Sequence, residues 1–260
     1  MKKLIYLMVI IMLMGITSSL LAVNVSEIEK YIVIETANYE VHWNKPAQMG
    51  YMQAFVGGGA SLINEGGRSF YHSSDYGGWK DWGELQEWEI VEDGPSHVVI
   101  NYKSADAGTK EYSCIASYYD SVPYIKHEVT ITNTGAATPS FASGHDPMFE
   151  MNGTNAGIEA YEDPFPHVVY WTADGKFGAI YGPDAGEARN HNTRMDLVHD
   201  IQAEDIADGA SDTIVYYVAF GEGDAEAAHA LADNVQEEPA TTPVSPNNSL
   251  TTTWGQIRSR

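Results

Sequence analysis

Three tryptophans, Trp79, Trp82 and Trp88, crowd in and just behind a glycine-flanked stretch, Tyr76-Gly77-Gly78-Trp79-Lys80-Asp81-Trp82-Gly83, that follows Arg68, Tyr71 and His72. An indole offers a broad apolar face and one N–H donor, which suits the face and hydroxyls of a sugar ring. Glycine permits tight turns and close approach of backbone to a ligand. One reading gives Trp79, Trp82 and Trp88 to stacking on carbohydrate, with Arg68, Tyr71 and His127 as further contacts. The other makes the three rings the plug at one end of a β-sandwich core, since Trp is largely buried in folded proteins.

The histidines invite acid–base chemistry. His72 stands beside Tyr71, His145 lies in Gly144-His145-Asp146-Pro147, and His191 lies three residues before Arg194. β-Elimination of a uronate needs one group to remove the C5 proton and another to protonate the leaving oxygen. His72, His145 or His191 with a nearby Tyr could supply both, and Arg68 or Arg194 offers a planar fork for the carboxylate. Asp146 equally fits a turn, bonded to its own backbone. His127 alternates with Ile125, Val129 and Ile131, so it points inward, as a core histidine or toward a ligand-bearing sheet face. His191, His199 and Asp200 lack the spacing of a zinc site, and calcium loops, nucleophile elbows, phosphate loops and dinucleotide fingerprints are missing. No metal or cofactor is expected. Cys114 shares a strand face with Tyr112, Ala116 and Tyr118, the position of an inert core thiol.

Composition narrows the partners. Met1-Lys2-Lys3 and the apolar run that follows, with small residues at Ser18, Ser19 and Ala22, read as a signal peptide over residues 1–22. The run is also close to bilayer-spanning length, so an uncleaved anchor fits it too. Secretion or a periplasmic location is expected. Removing Lys2 and Lys3 takes 14 basic residues to 12 against 36 acidic ones, a net charge of −24. Such a surface repels nucleic acid and anionic membranes, and it favours neutral sugars over anionic ones. The sole cysteine permits no intramolecular disulfide, so the domain must stand on its core alone.

Strands must position these groups. Short β-type runs at 31–35, 39–43, 51–56, 85–91, 97–103, 110–119, 124–132, 167–172, 177–181 and 212–220 are separated by Gly, Asp, Asn and Pro. No amphipathic helix lies between them, so the fold class is all-β: an antiparallel β-supersandwich of two or more large twisted sheets over residues 23–235. One short C-terminal helix is expected from a Gly223 or Asp224 cap to about residue 234. Residues 236–260 read as a Pro/Thr/Ser/Asn-rich linker and short tail.

The segment from Tyr118 to Asn133, with Pro123 between two strands, resembles a recurring passage of galactose-mutarotase-like supersandwich domains. Similar pieces are Ile34-Glu35-Thr36-Ala37-Asn38-Tyr39-Glu40-Val41, the glycines at 57–59, Glu92-Asp93-Gly94-Pro95 and Asp174-Gly175-Lys176-Phe177-Gly178-Ala179-Ile180. The resemblance spans most of 30–222 and implies a fold used by sugar epimerases, by domains of polysaccharide lyases and glycosidases, and by sugar-binding modules. Asn190-His191-Asn192-Thr193-Arg194-Met195-Asp196-Leu197 is similar to the aldose-epimerase segment that carries a catalytic His. Thr193 or Arg194 stands where that family has an aromatic, and Asp196 where it has Asn. Three functions remain: an exported carbohydrate-binding protein, a carbohydrate-active enzyme (lyase or epimerase), and a structural cell-envelope protein.

Overall fold

The computed structural model describes residues 23–46, 49–64, 71–73, 79–104, 110–135, 145–152, 155–198 and 206–237. The expected signal peptide, Arg68, and nearly all of the linker and tail lie outside the described residues. In chain order the elements are β1 (Asn24–Ile28), β2 (Tyr31–Glu35), β3 (Glu40–Asn44), β4 (Gly50–Phe55), β5 (Tyr71–Ser73), β6 (Trp79–Asp81), β7 (Leu85–Asp93), β8 (His97–Ser104) and β9 (Lys110–Tyr119). They continue with β10 (Tyr124–Asn133), β11 (His145–Asp146), β12 (Met148–Glu150), β13 (Asn155–Tyr161), β14 (His167–Thr172), β15 (Lys176–Tyr181), β16 (Glu187–Asn190), β17 (Arg194–Val198), β18 (Ser211–Glu222) and a single described helix, α1 (Ala225–Glu237).

The large sheet has the order β13-β14-β15-β18-β10-β9-β8-β7. A four-stranded meander, β1-β2-β3-β4, and two three-stranded sheets, β11-β5-β6 and β12-β17-β16, complete the fold, and every described strand pairing is antiparallel. The all-β class and the C-terminal helix match the expectation from sequence. Period-two alternation is the reason. Ile125, His127, Val129 and Ile131 of β10 face the main core, beside Tyr102, Cys114 and Tyr118 of the neighbouring strands. Ile32, Val41, Trp43 and Tyr51 of the meander pack into the same core. Trp43 stacks on Tyr102 with centroids 3.7 Å apart and planes within 6°.

The other face of the large sheet carries a second core. Val169, Phe177, Ala179, Tyr181 and Ala219 meet Ala228, Ala232 and Val235 of α1 there. The helix starts as expected: the Asp224 carboxylate accepts from the Ala227 amide at 3.0 Å, a side-chain N-cap.

Candidate functional site

The hairpin of β16 and β17 gathers the polar groups. Alternation turns Ala188, Met195 and Leu197 into the core, while Glu187, Arg189, Arg194 and Asp196 occupy the opposite register positions. Its turn depends on Asn192, whose φ of 62° lies in the left-handed region that Asn tolerates better than other side-chain-bearing residues. The His191 amide donates to the Arg194 carbonyl at 2.9 Å and closes the loop. On the other side of β17, Arg194 pairs with Glu150 of β12 across the ladder.

Each cation of the hairpin faces a carboxylate. Arg189 donates to Glu187 at 2.6 Å, and the Arg194 guanidinium lies 3.7 Å from Glu150. His191 Nε2 lies 3.5 Å from the Asp196 carboxylate. The hydrogen bond to Glu187 holds Arg189 firmly protonated, helped by the charges of Glu187, Asp196 and Asp146. Burial pushes the Asp196 carboxyl above the usual range, against the opposing pull of His191 and Arg189. Asp146 is buried as well, with 6% exposure, and its charge reaches Arg189 from β11.

A second small sheet abuts this hairpin. The Leu197 amide donates to the Pro147 carbonyl at 3.2 Å, fixing the β11–β12 junction against β17. In that sheet His145 stands opposite His72, and His72 opposite Lys80. Asp146 stands opposite Tyr71, and Ser73 opposite Trp79. These are backbone positions; the side chains of Tyr71, His72, Trp79 and His145 are not among those described. The register places Arg194 and Glu150 at one end of β17, and the Pro147–Leu197 bond puts β11, with His145 opposite His72, at the other end. Arg189, Glu150 and Asp196 lie beside His191 and Arg194; in the sequence, the polar–apolar alternation of 187–198 is the signal that marks Arg189 and Asp196.

Two expected ligand contacts, Trp82 and His127, are sealed in the core, and Trp88 is only partly buried. Trp82 is 1% exposed and packs 5.1 Å from the Tyr112 ring, so it has no face to offer a sugar and serves as the core plug. Trp88 stands opposite Tyr102 in the β7–β8 ladder and packs, half-buried, against the main core. His127 is fully buried, its Nε2 2.8 Å from the Tyr51 hydroxyl, which continues to Tyr118 at 3.0 Å and on to Tyr102 at 2.9 Å. Desolvation pushes the His127 pKa down to about 3, so the ring is neutral and structural. Among the described residues, no group of three or more His, Cys, Asp or Glu side chains is placed to hold a metal ion.

No protein-family model matches the chain, and no curated protein matches it. Solved structures share its fold at low identity. An alpha-galactosidase from Geobacillus stearothermophilus aligns at 9% identity and TM-score 0.51, over 78% of this chain and 41% of that one. An alpha-mannosidase from Enterococcus faecalis aligns at 12% and 0.51, over 78% and 31%. A mutant heparan sulfate lyase from Pedobacter heparinus aligns at 8% and 0.50, over 77% and 35%. This chain therefore spans under half the length of each of these proteins, and what it shares with them is an antiparallel β-sandwich fold.

Proposed function

We propose that this is an exported, galactose-mutarotase-like supersandwich protein that binds neutral carbohydrate on the polar face of the β16–β17 hairpin and the β5–β11 strands beside it. The observation that carries the reading is the pairing of the hairpin's guanidiniums with carboxylates. Arg189 with Glu187 and Arg194 with Glu150 form an alternating row of donors and acceptors at partly exposed positions. Vicinal hydroxyls, each both donor and acceptor, suit such a row, whereas a uronate carboxylate would have to displace Glu187 or Glu150. The fold shared with domains of carbohydrate-active enzymes supports the same ligand class. Trp82, sealed in the core, takes no part in this surface.

Affinity for a panel of neutral oligosaccharides, measured by calorimetry on wild type, Arg189→Ala and Arg194→Ala, tests the reading. A loss of tenfold or more in either variant is expected. A wild type that binds no neutral sugar, or variants that bind as well as wild type, would overturn it.

One observation favours catalysis as the second reading. Asp196 is a buried carboxyl that keeps its proton to higher pH than usual, beside His191, the arrangement of an acid–base pair. Release or interconversion of sugars that disappears in Asp196→Asn with binding retained would establish it.

A further inference from the structure

The second core contains a polar contact that sugar binding does not use. His167 of β14 is fully buried, and its Nε2 lies 2.8 Å from Nδ1 of His229 on α1. The other nitrogen of His167, Nδ1, lies 2.8 Å from the Phe165 carbonyl. A carbonyl only accepts, so His167 carries its proton on Nδ1 and presents a lone pair at Nε2. The proton between the rings therefore belongs to His229.

We propose that the His167–His229 contact is an acid-sensitive latch that holds α1 on the large sheet and releases it when both rings are protonated. Proton counting gives the mechanism. A first proton on the distal nitrogen of His229 leaves the bond intact, because Nδ1–H still donates. A second must occupy Nε2 of His167, the acceptor itself; two N–H groups then face each other and two like charges meet in a dry interface.

The rest of the interface gives the helix little to hold on with. Its fully buried side chains are Ala228, Ala232 and Val235, which bury far less surface than Phe would, with Ala225 and Leu231 partly buried beside them. Tyr181 adds a hydroxyl bond to the Ala228 carbonyl at 2.5 Å. Tyr161 stacks on His167 at 4.9 Å and lies tilted against His229 at 4.7 Å, and its hydroxyl donates to Glu159.

Several groups act on the pair. Burial is the largest influence on His167 and lowers its pKa; the Phe165 carbonyl bond raises it, His229 lowers it, and Glu162 and Asp163 raise it. On α1, Glu226 and Asp233 lie one turn to either side of His229. The net direction for His167 is downward, so the docked state binds fewer protons there than the released one. Docking is therefore favoured above the ordinary histidine range of about 6.5 and lost as pH falls below it. Release would uncover Phe165, Val169 and Phe177, an apolar face on the outer side of the large sheet.

Amide hydrogen exchange of the full chain between pH 7.5 and 4.5 tests the latch, after correction for intrinsic exchange. The expected result is a loss of protection confined to residues 225–237 as pH falls, with β10 and β18 still protected. The opening constant should rise by up to about tenfold per pH unit, since a docked pair that already carries the first proton takes up one more on release. In His167→Phe the pH dependence should vanish. Protection of α1 that is indifferent to pH, or that is lost together with β10 and β18, would overturn the proposal. So would a pH dependence unchanged in His167→Phe.

Discussion

At the scale of single residues, side chains of the same type separate by burial. His127 and His191 are both imidazoles beside polar partners, yet one is wholly enclosed with Tyr51 and the other is half exposed beside Asp196. Burial drives the His127 pKa down to about 3, so the native state takes up fewer protons than the unfolded chain. Its contribution to stability is complete above the ordinary histidine range and is lost as pH falls toward 3. His127→Gln keeps a hydrogen-bonding group but cannot be charged. Urea denaturation between pH 6 and 4 should therefore show an acid limb shallower by about 1.4 kcal/mol per pH unit than wild type. The inward direction of His127 was legible in the sequence, because it shares the alternation of Ile125, Val129 and Ile131. The fate of Trp82 was not. Its burial depends on Tyr112, thirty residues away on β9, and a local window of glycines and indoles carries no trace of that contact.

At the scale of elements, long strands were readable and short ones were not. Runs such as 110–119 and 124–132 show clear strand character and appear as β9 and β10 nearly to the residue. β5, β6, β11 and β12 have two or three residues each, too few for a period to emerge, and β12 is the strand that supplies Glu150 to the candidate site. The β16–β17 hairpin lies between these cases. Its alternation is present, but the resemblance of 190–197 to an epimerase segment drew attention to His191 and Arg194 rather than to Arg189. The hairpin rests on one unusual backbone position. Asn192→Ala should cost about 1 kcal/mol, because alanine lacks the local hydrogen bonding that lets Asn adopt φ of 62°. Since His191 and Arg194 flank that position, sugar affinity should fall with stability, whereas Asn192→Gly should leave stability close to wild type. Urea denaturation and calorimetry on the two variants check this, and an alanine variant unchanged in both would show that the turn does not position the site.

At the scale of the whole molecule, one large sheet serves two purposes. Its inner face, closed by the meander and the two small sheets, buries Trp43, Tyr51, Tyr102 and Tyr118 and supplies the stability that a chain with a single cysteine cannot draw from disulfides. Burial pushes the Cys114 thiol well above its usual range, which makes it unreactive. At the edge of that same layer the small sheets hold the polar cluster, in a molecule whose net charge of −22 opposes anionic ligands. The central claim is that neutral sugar binds there. Amide chemical-shift mapping during titration with a neutral oligosaccharide tests it most directly. The expected result is saturable shifts concentrated at Glu150, Arg189, His191, Arg194 and Asp196, with α1 and the outer face of β8 and β9 unmoved. Saturable shifts centred on another surface, or none with any neutral sugar, would contradict it.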